Sequence, residues 1–250
     1  MEIGAGTGKA TRVFARRGIT VTATDPDREM LAELRRHVPA TVSAVQSALE
    51  DLPPGRTYDC VYAAAALHWT RREGRWERIA ALLEPGGIFA SFGGPAQLAD
   101  PALQEAERAA REPFMETDDP GSPDGTPPDQ HLQWPGTELE RSEWFDDVEQ
   151  HVIIRRPTVT ARDYVGQLAT LSAYLVLPAR DREVLLDRIV TSLPDEVVLK
   201  ADIIQHHARR TSARGDASGL RRLAEADQVV VPELPAVYEG SGHPGCVRRK

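Results

Sequence analysis

Apolar positions in the first third of the chain change period several times. Ala10, Val13 and Phe14 recur at helical spacing with Arg17 on the same face, and Gly18 is placed to end that helix. Ile19 to Thr24 alternates, which predicts a strand ending at Asp25. Asp25 and Pro26 fit the N-cap and first position of a second helix. Met30, Leu31, Leu34 and Val38 form its buried stripe, and Pro39 stops it. Thr41 to Val45 reads as a strand, and Tyr58 to Leu67 is a continuous apolar run. Such a run predicts a strand covered on both faces, with Cys60 in the core. Trp76, Ile79, Ala80 and Leu83 mark a helix, Pro85-Gly86-Gly87 a turn, and Ile88 to Phe92 another strand.

This β/α alternation predicts a parallel sheet with right-handed crossovers. Beyond it, residues 101–111 read as a helix and 112–136 as a long loop rich in Pro, Gly and Asp, a solvent-exposed insertion with a lid as the alternative. Val148 to Arg155 reads as a strand, and Thr160 with Asp163 as the cap of a helix through Leu168. Residues 179–192 read as a helix and Val197 to Ala208 as a last strand. Residues 212–250 show no periodicity and read as a poorly structured tail. The expected organisation is one domain over 1–211, with a first half at 1–94, a cap at 95–145 and the rest of the sheet at 146–211.

Charge narrows the partners. Net charge is -8, and basic residues occur as scattered pairs such as Arg16-Arg17 and Arg155-Arg156. A nucleic-acid partner, which favours a basic face, is not expected. Two cysteines make no disulfide framework, no apolar stretch reaches membrane-spanning length, and no signal pattern opens the chain. A cytoplasmic, reduced location and no membrane partner are the expectation. No metal-ligand spacing is visible along the chain, and adjacent His206 and His207 would face opposite sides of a strand.

The opening stretch, Met1-Glu-Ile-Gly-Ala-Gly-Thr-Gly8, carries the chemistry. A glycine turn from strand to helix lets backbone approach a ligand beside the positive end of a helix dipole. The spacing Gly4-x-Gly6-x-Gly8 is neither a P-loop nor G-x-G-x-x-G. Glu2 beside it would repel a pyrophosphate but suits an ammonium group. Asp25 lies 21 residues beyond Gly4, where an acid can accept ribose hydroxyls. A ribose, a cationic end and no phosphate describe S-adenosyl-L-methionine.

Glu2 to Gly8, Asp25-Pro26, Leu49-Glu-Asp-Leu-Pro53, Tyr58-Asp-Cys-Val61, Leu67-His-Trp69 and Leu83-Glu-Pro-Gly-Gly87 resemble, in order, the motifs of class I methyltransferases dependent on S-adenosyl-L-methionine. The nearest likeness is to the small-molecule branch with the trans-aconitate-type enzymes. It is strong over residues 1–94 and extends weakly to 211. The resemblance implies a Rossmann-like α/β fold: a seven-stranded, mostly parallel sheet, an antiparallel last strand, helices on both faces and an inserted cap. It implies Glu2 at the methionine ammonium and Gly4, Ala5, Gly6 and Gly8 along the methionine and ribose. It implies Asp25 at the ribose hydroxyls, Pro26, Ala48 and Leu49 near the adenine, and Ala64 near the sulfonium. Where relatives often carry an acid for the adenine amino group stands Ala48, so Glu50 or Asp51 would have to substitute.

His68, after the fourth strand, is the candidate general base, with packing the alternative. Trp69 beside it and Thr170 with Tyr174 are candidates for the substrate side, with core packing equally open for Tyr174. The first strand can only be Met1 to Ile3, short for a central strand, so the expectation is a natural protein that starts upstream, with a genuinely short variant and an open cofactor site as the alternative. The function expected is methyl transfer to a small-molecule acceptor whose reacting atom is open. A methyltransferase-fold relic without a working site and a nicotinamide-dependent oxidoreductase are the alternatives. Residue usage rich in Ala, Arg, Gly and Pro fits a bacterial source.

Overall fold

The computed structural model describes residues 1–115, 122–127 and 129–211. The expected tail at 212–250 lies outside them, as does part of the 112–136 loop.

In chain order the elements begin β1 (Glu2–Ile3), α1 (Lys9–Arg16), β2 (Thr22–Asp25), α2 (Arg28–His37), β3 (Ser43–Gln46) and β4 (Tyr58–Ala64). Next come α3 (Arg75–Ala81), β5 (Leu83–Gly93), β6 (Gln97–Leu98), α4 (Pro101–Arg111) and α5 (Gly136–Glu140). The chain continues through β7 (Phe145–Ile153), β8 (Thr158–Thr160), α6 (Ala161–Leu168), α7 (Ser172–Leu175), α8 (Ala179–Ser192), β9 (Glu196–Lys200) and β10 (Ile203–Arg210). Short 3-10 turns cover Leu49–Asp51 and Leu67–Trp69.

Seven strands form one sheet in the order β3-β2-β1-β4-β5-β10-β7. β1 pairs in parallel with β2 and β4, and β10 runs antiparallel to β5 and β7. The strand order therefore reverses at β1, and the crevice beyond the ends of β1 and β4 is where an open α/β sheet receives ligands.

Alternation along the strands splits the core. Ile3, Val61, Ala63, Phe89 and Ala208 pack on one face with Leu49, Ile79 of α3 and Leu139 of α5. Tyr62 and Ala23 pack on the other with Leu31 and Leu34 of α2, and with Phe14 of α1. Burying Leu31 and Leu34 fully is worth about 2 kcal/mol each. A third cluster holds Leu98, Tyr164, Leu168, Tyr174, Leu185, Ile189, Val197 and Leu199. It is built by α4, α6 and α8 around a small antiparallel sheet, β6-β9-β8. This second sheet draws on both segments that the sequence pattern separates at residue 145.

Several local expectations change. Asp27, not Asp25, caps α2, because its carboxylate accepts the amides of Glu29 and Met30. Met30 is 43% exposed and outside the buried stripe. Cys60 is exposed rather than core, because β1 pairs only with Tyr62 and Ala63 and leaves the first half of β4 less covered. The expected last strand is two: β9 pairs with β6 and β8, and β10 joins the main sheet. Asp202 lies between them, accepting the Arg155 amide at 3.0 Å. Among the described residues no helix is long and apolar enough to cross a membrane.

Candidate functional site

β1 delivers Glu2 to the face of the sheet that α1 covers. The Glu2 side chain is fully buried, and one oxygen accepts the hydroxyls of Thr11 on α1 and Tyr62 on β4, the latter at 3.0 Å. The other oxygen, Oε1, is buried with no hydrogen-bond partner among the described residues. Burial raises the Glu2 pKa to about 7 against the pull of those two hydroxyls. The result is a buried carboxyl held near neutrality with one acceptor oxygen left open among the described residues.

The turn after β1 needs its glycines for different reasons. Gly4, Gly6 and Gly8 all have positive φ, at 63°, 54° and 80°. A Cβ on Gly4 would come within 2.5 Å of Ala66 Cβ, and one on Gly8 within 2.8 Å of Leu34 Cγ. A Cβ on Gly6 would meet nothing within 4 Å, so Gly6 borders open space. The Ala5 amide donates to Thr24 O at 2.9 Å, which ties the turn to β2.

Asp25, at the end of β2, fixes that open side. Its Oδ2 accepts the Gly6 amide at 2.8 Å and its Oδ1 the Asp27 amide at 2.9 Å. A carboxylate has about four lone-pair positions, so each oxygen keeps capacity for a ligand hydroxyl. Glu2, Ala5, Gly6 and Asp25 are thus brought together by β1, β2 and the turn between β1 and α1.

Pro26 is exposed beside Asp25, and its carbonyl accepts Gln46 Nε2 at 3.1 Å. Ala48 is half-buried ahead of the 3-10 turn. Leu49 offers no side chain to a ligand: it is buried among Ile3, Val61 and Leu67, as the first apolar residue after β3 that can reach the core. Glu50, the expected substitute acid, is engaged by the Arg71 amide at 2.6 Å. Asp51 is exposed.

Ala64 ends β4 opposite Phe92 and is half-buried. Ala65 follows with φ 51°, a left-handed conformation costly for a residue with a Cβ. Its amide donates to Phe92 O at 2.9 Å, so the sheet register holds the kink. The kink swings the chain into the turn that carries His68 and Trp69. His68 is exposed, with its ring 4.9 Å from that of Trp69. Partial desolvation, then the charge of Arg75, holds its pKa below the ordinary histidine value. Arg75 also donates to Thr70 O at 2.8 Å and pairs with Glu138 at 3.3 Å, anchoring the turn to α5. Trp69 is 71% exposed, so it is no core contact.

The other two residues expected on the substrate side do not join them. Tyr174 is fully buried in the third cluster, filling space among α4, α6 and α8. Thr170 bonds back to Gln167 O at 2.7 Å and ends α6. The chain breaks helix between Leu168 and Ser172, so helical spacing does not put Thr170 and Tyr174 on one face. A shallow groove of about 430 Å³ is lined by Arg72, Arg75, Trp76, Glu138 and Trp144 and shares no residue with the glycine turn. Within it Arg72, Arg75 and Trp76 all engage Glu138, Trp76 Nε1 donating at 3.0 Å.

Sequence reasoning missed Thr11, Tyr62 and Ala65. Tyr62 had a signal: two residues before Ala64, it points from β4 to the same face as Glu2. Thr11 and the Ala65 kink had none, because the first depends on how α1 docks and the second on β-register.

Residues 1–87 match the family described as "Methyltransferase domain". An uncharacterised methyltransferase of Mycobacterium tuberculosis is 39% identical over 87 residues, which cover 35% of this chain and 36% of that protein. A trans-aconitate 2-methyltransferase of Delftia acidovorans is 32% identical over 117 residues, 45% of this chain and 42% of the relative. The chain thus spans well under half the length of these curated relatives. A solved structure described as a candidate type II methyltransferase of Anaeromyxobacter dehalogenans superposes with TM-score 0.51 at 22% identity, covering 84% of this chain and 86% of that one. It shares the fold: a mostly parallel seven-stranded Rossmann-like sheet with an antiparallel member.

Proposed function

We propose that this chain transfers a methyl group from S-adenosyl-L-methionine to a small-molecule acceptor, with no nucleic-acid or membrane partner. The observation that carries the reading is the pairing of Gly6, which borders open space, with the buried, half-partnered carboxylate of Glu2 across one glycine turn. The methyltransferase match over residues 1–87 supports it, since that stretch holds every one of these groups.

The cofactor supplies a methyl group on a sulfonium, whose leaving group is a neutral thioether. The residues' part is to bind and orient. Glu2 Oε1 would hold the ammonium, directly or through water, with Glu2 ionised. Asp25 takes the ribose hydroxyls on the lone pairs its two amide bonds leave free. The backbone of Gly4 to Gly8 would line the methionine and ribose, with Pro26 and Ala48 toward the adenine. Leu49 supports this edge from the core. Ala64 and the Ala65 kink would border the sulfonium side.

His68 is the proposed base for an acceptor that must lose a proton. Its lowered pKa keeps the imidazole neutral and able to accept. A carboxylate acceptor would need no base. Trp69 offers an exposed apolar wall beside it. Location in the cytoplasm, where the cofactor is made and used, follows from the same reading.

The test is calorimetry of the purified chain with S-adenosyl-L-methionine and S-adenosylhomocysteine, with NADH as control. Saturable binding of the first two, lost in Asp25→Ala, is the expected result. NADH binding with neither sulfur ligand bound would overturn it. His68→Gln should then lower turnover with an unchanged cofactor Kd.

A further inference from the structure

We propose that Glu149, His151 and His207 form a divalent-cation site that takes Zn²⁺ and pins the edge strand β7 to β10. The site lies apart from the glycine turn and does not depend on the methyltransferase reading.

The topology makes the cluster. β7 is the last strand of the main sheet and pairs antiparallel with β10. In that register His207 stands opposite Glu149, and Gln205 opposite His151. Residues two apart share a face of a strand, so Glu149 and His151 point the same way. His207 joins them, while His206 turns to the other face and bonds Gln150 at 2.8 Å. No sequence spacing reveals this, because 56 residues separate His151 from His207.

The donor atoms converge. Glu149 Oε2 lies 3.3 Å from His151 Nε2 and 3.6 Å from His207 Nε2. All three donor atoms fall within 4.8 Å of one another. Tetrahedral zinc with bonds of about 2.0–2.1 Å places its ligands roughly 3.3 Å apart, so two of the three separations already match. The two imidazole rings lie nearly parallel, with centroids 5.4 Å apart and planes at 10° to each other. Two imidazoles and one carboxylate are a zinc ligand set that leaves one position for water. Glu149 and His151 are exposed and His207 is half-buried, so an ion has direct access.

Affinity is limited by the outer shell. His207 Nδ1 is buried with no hydrogen-bond partner among the described residues. The ring thus lacks the outer hydrogen bond that tightens metal sites by about 10–100-fold. A clamp here would join the sheet's exposed edge to its neighbour, just before the bulge between His207 and Arg209.

The experiment uses the untagged full chain, stripped with chelator and titrated with Zn²⁺ by calorimetry and with Co²⁺ by visible absorption. One equivalent of Co²⁺ should give the intense ligand-field bands of a four-coordinate site, and Zn²⁺ should displace it and raise Tm. His207→Ala and Glu149→Gln should each weaken binding by about tenfold or more, with the metal-free far-UV spectrum and Tm unchanged. The Glu149→Gln variant keeps the shape of the site and guards against a folding artefact in the alanine variant. No saturable binding by the folded chain overturns the proposal. So does binding that survives in the His151→Ala/His207→Ala double variant.

Discussion

Glu2→Gln separates the electrostatic cost of the candidate site from its use. In the folded chain Glu2 titrates at about 7 against 4.5 for a free carboxyl, with burial the main cause. A raised folded pKa contributes stability that is complete below the unfolded value and is lost as pH rises through the folded one. At about 1.4 kcal/mol per pKa unit, Glu2 makes the apo protein about 2–3 kcal/mol less stable at pH 8 than at pH 5. Gln does not titrate, so the variant lacks this component. His206 works the other way: burial lowers its pKa to about 4 from 6.5, so its contribution is present above pH 6.5 and lost as pH falls toward 4. Because His206 is in both proteins, its effect cancels in the comparison. Urea unfolding at pH 5 and 8 gives the four stabilities. The expected result is a stability change on mutation that is more favourable to Gln by about 2–3 kcal/mol at pH 8 than at pH 5. A change equal at both pH values within about 0.5 kcal/mol would refute the buried, uncompensated carboxylate. The same pair of proteins reads the site: affinity for S-adenosyl-L-methionine should rise from pH 6 to 8 in the native chain, as Glu2 ionises, and stay flat and weak in Glu2→Gln.

The glycines should divide by what surrounds them. Gly6→Ala meets no atom and carries only left-handed strain, about 1–2 kcal/mol, yet should remove cofactor binding in a folded protein. Gly4→Ala adds a clash with Ala66 and should lower Tm much further; equal Tm losses for the two would contradict this division. Glu138→Ala leaves the buried Arg75 without its carboxylate and should cost about 3 kcal/mol in denaturant unfolding, a loss that Glu138→Gln only partly avoids. If the alanine variant unfolds like the native chain, Arg75 is not holding the Leu67–Trp69 turn through α5.

The sequence by itself determined the parts governed by local period and turn chemistry. The β/α alternation, the glycine turn, Gly18 after α1 and the Thr160 cap of α6 are all present in the structure, because each depends on neighbours within a few residues. The likeness to methyltransferases was legible for a related reason: its motifs lie at strand ends, where short patterns fix backbone shape. Tertiary structure decided what depends on docking and register. Asp27 took the α2 cap because Asp25 was drawn to the Gly6 amide, a partner that only the sheet brings near. Tyr174 went to the core that α4, α6, α8 and the β6-β9-β8 sheet build together, a choice between core and substrate side that its own spacing left open. The convergence of Glu149, His151 and His207 came from strand register alone. A sequence records spacing along the chain, whereas a site needs distances across it.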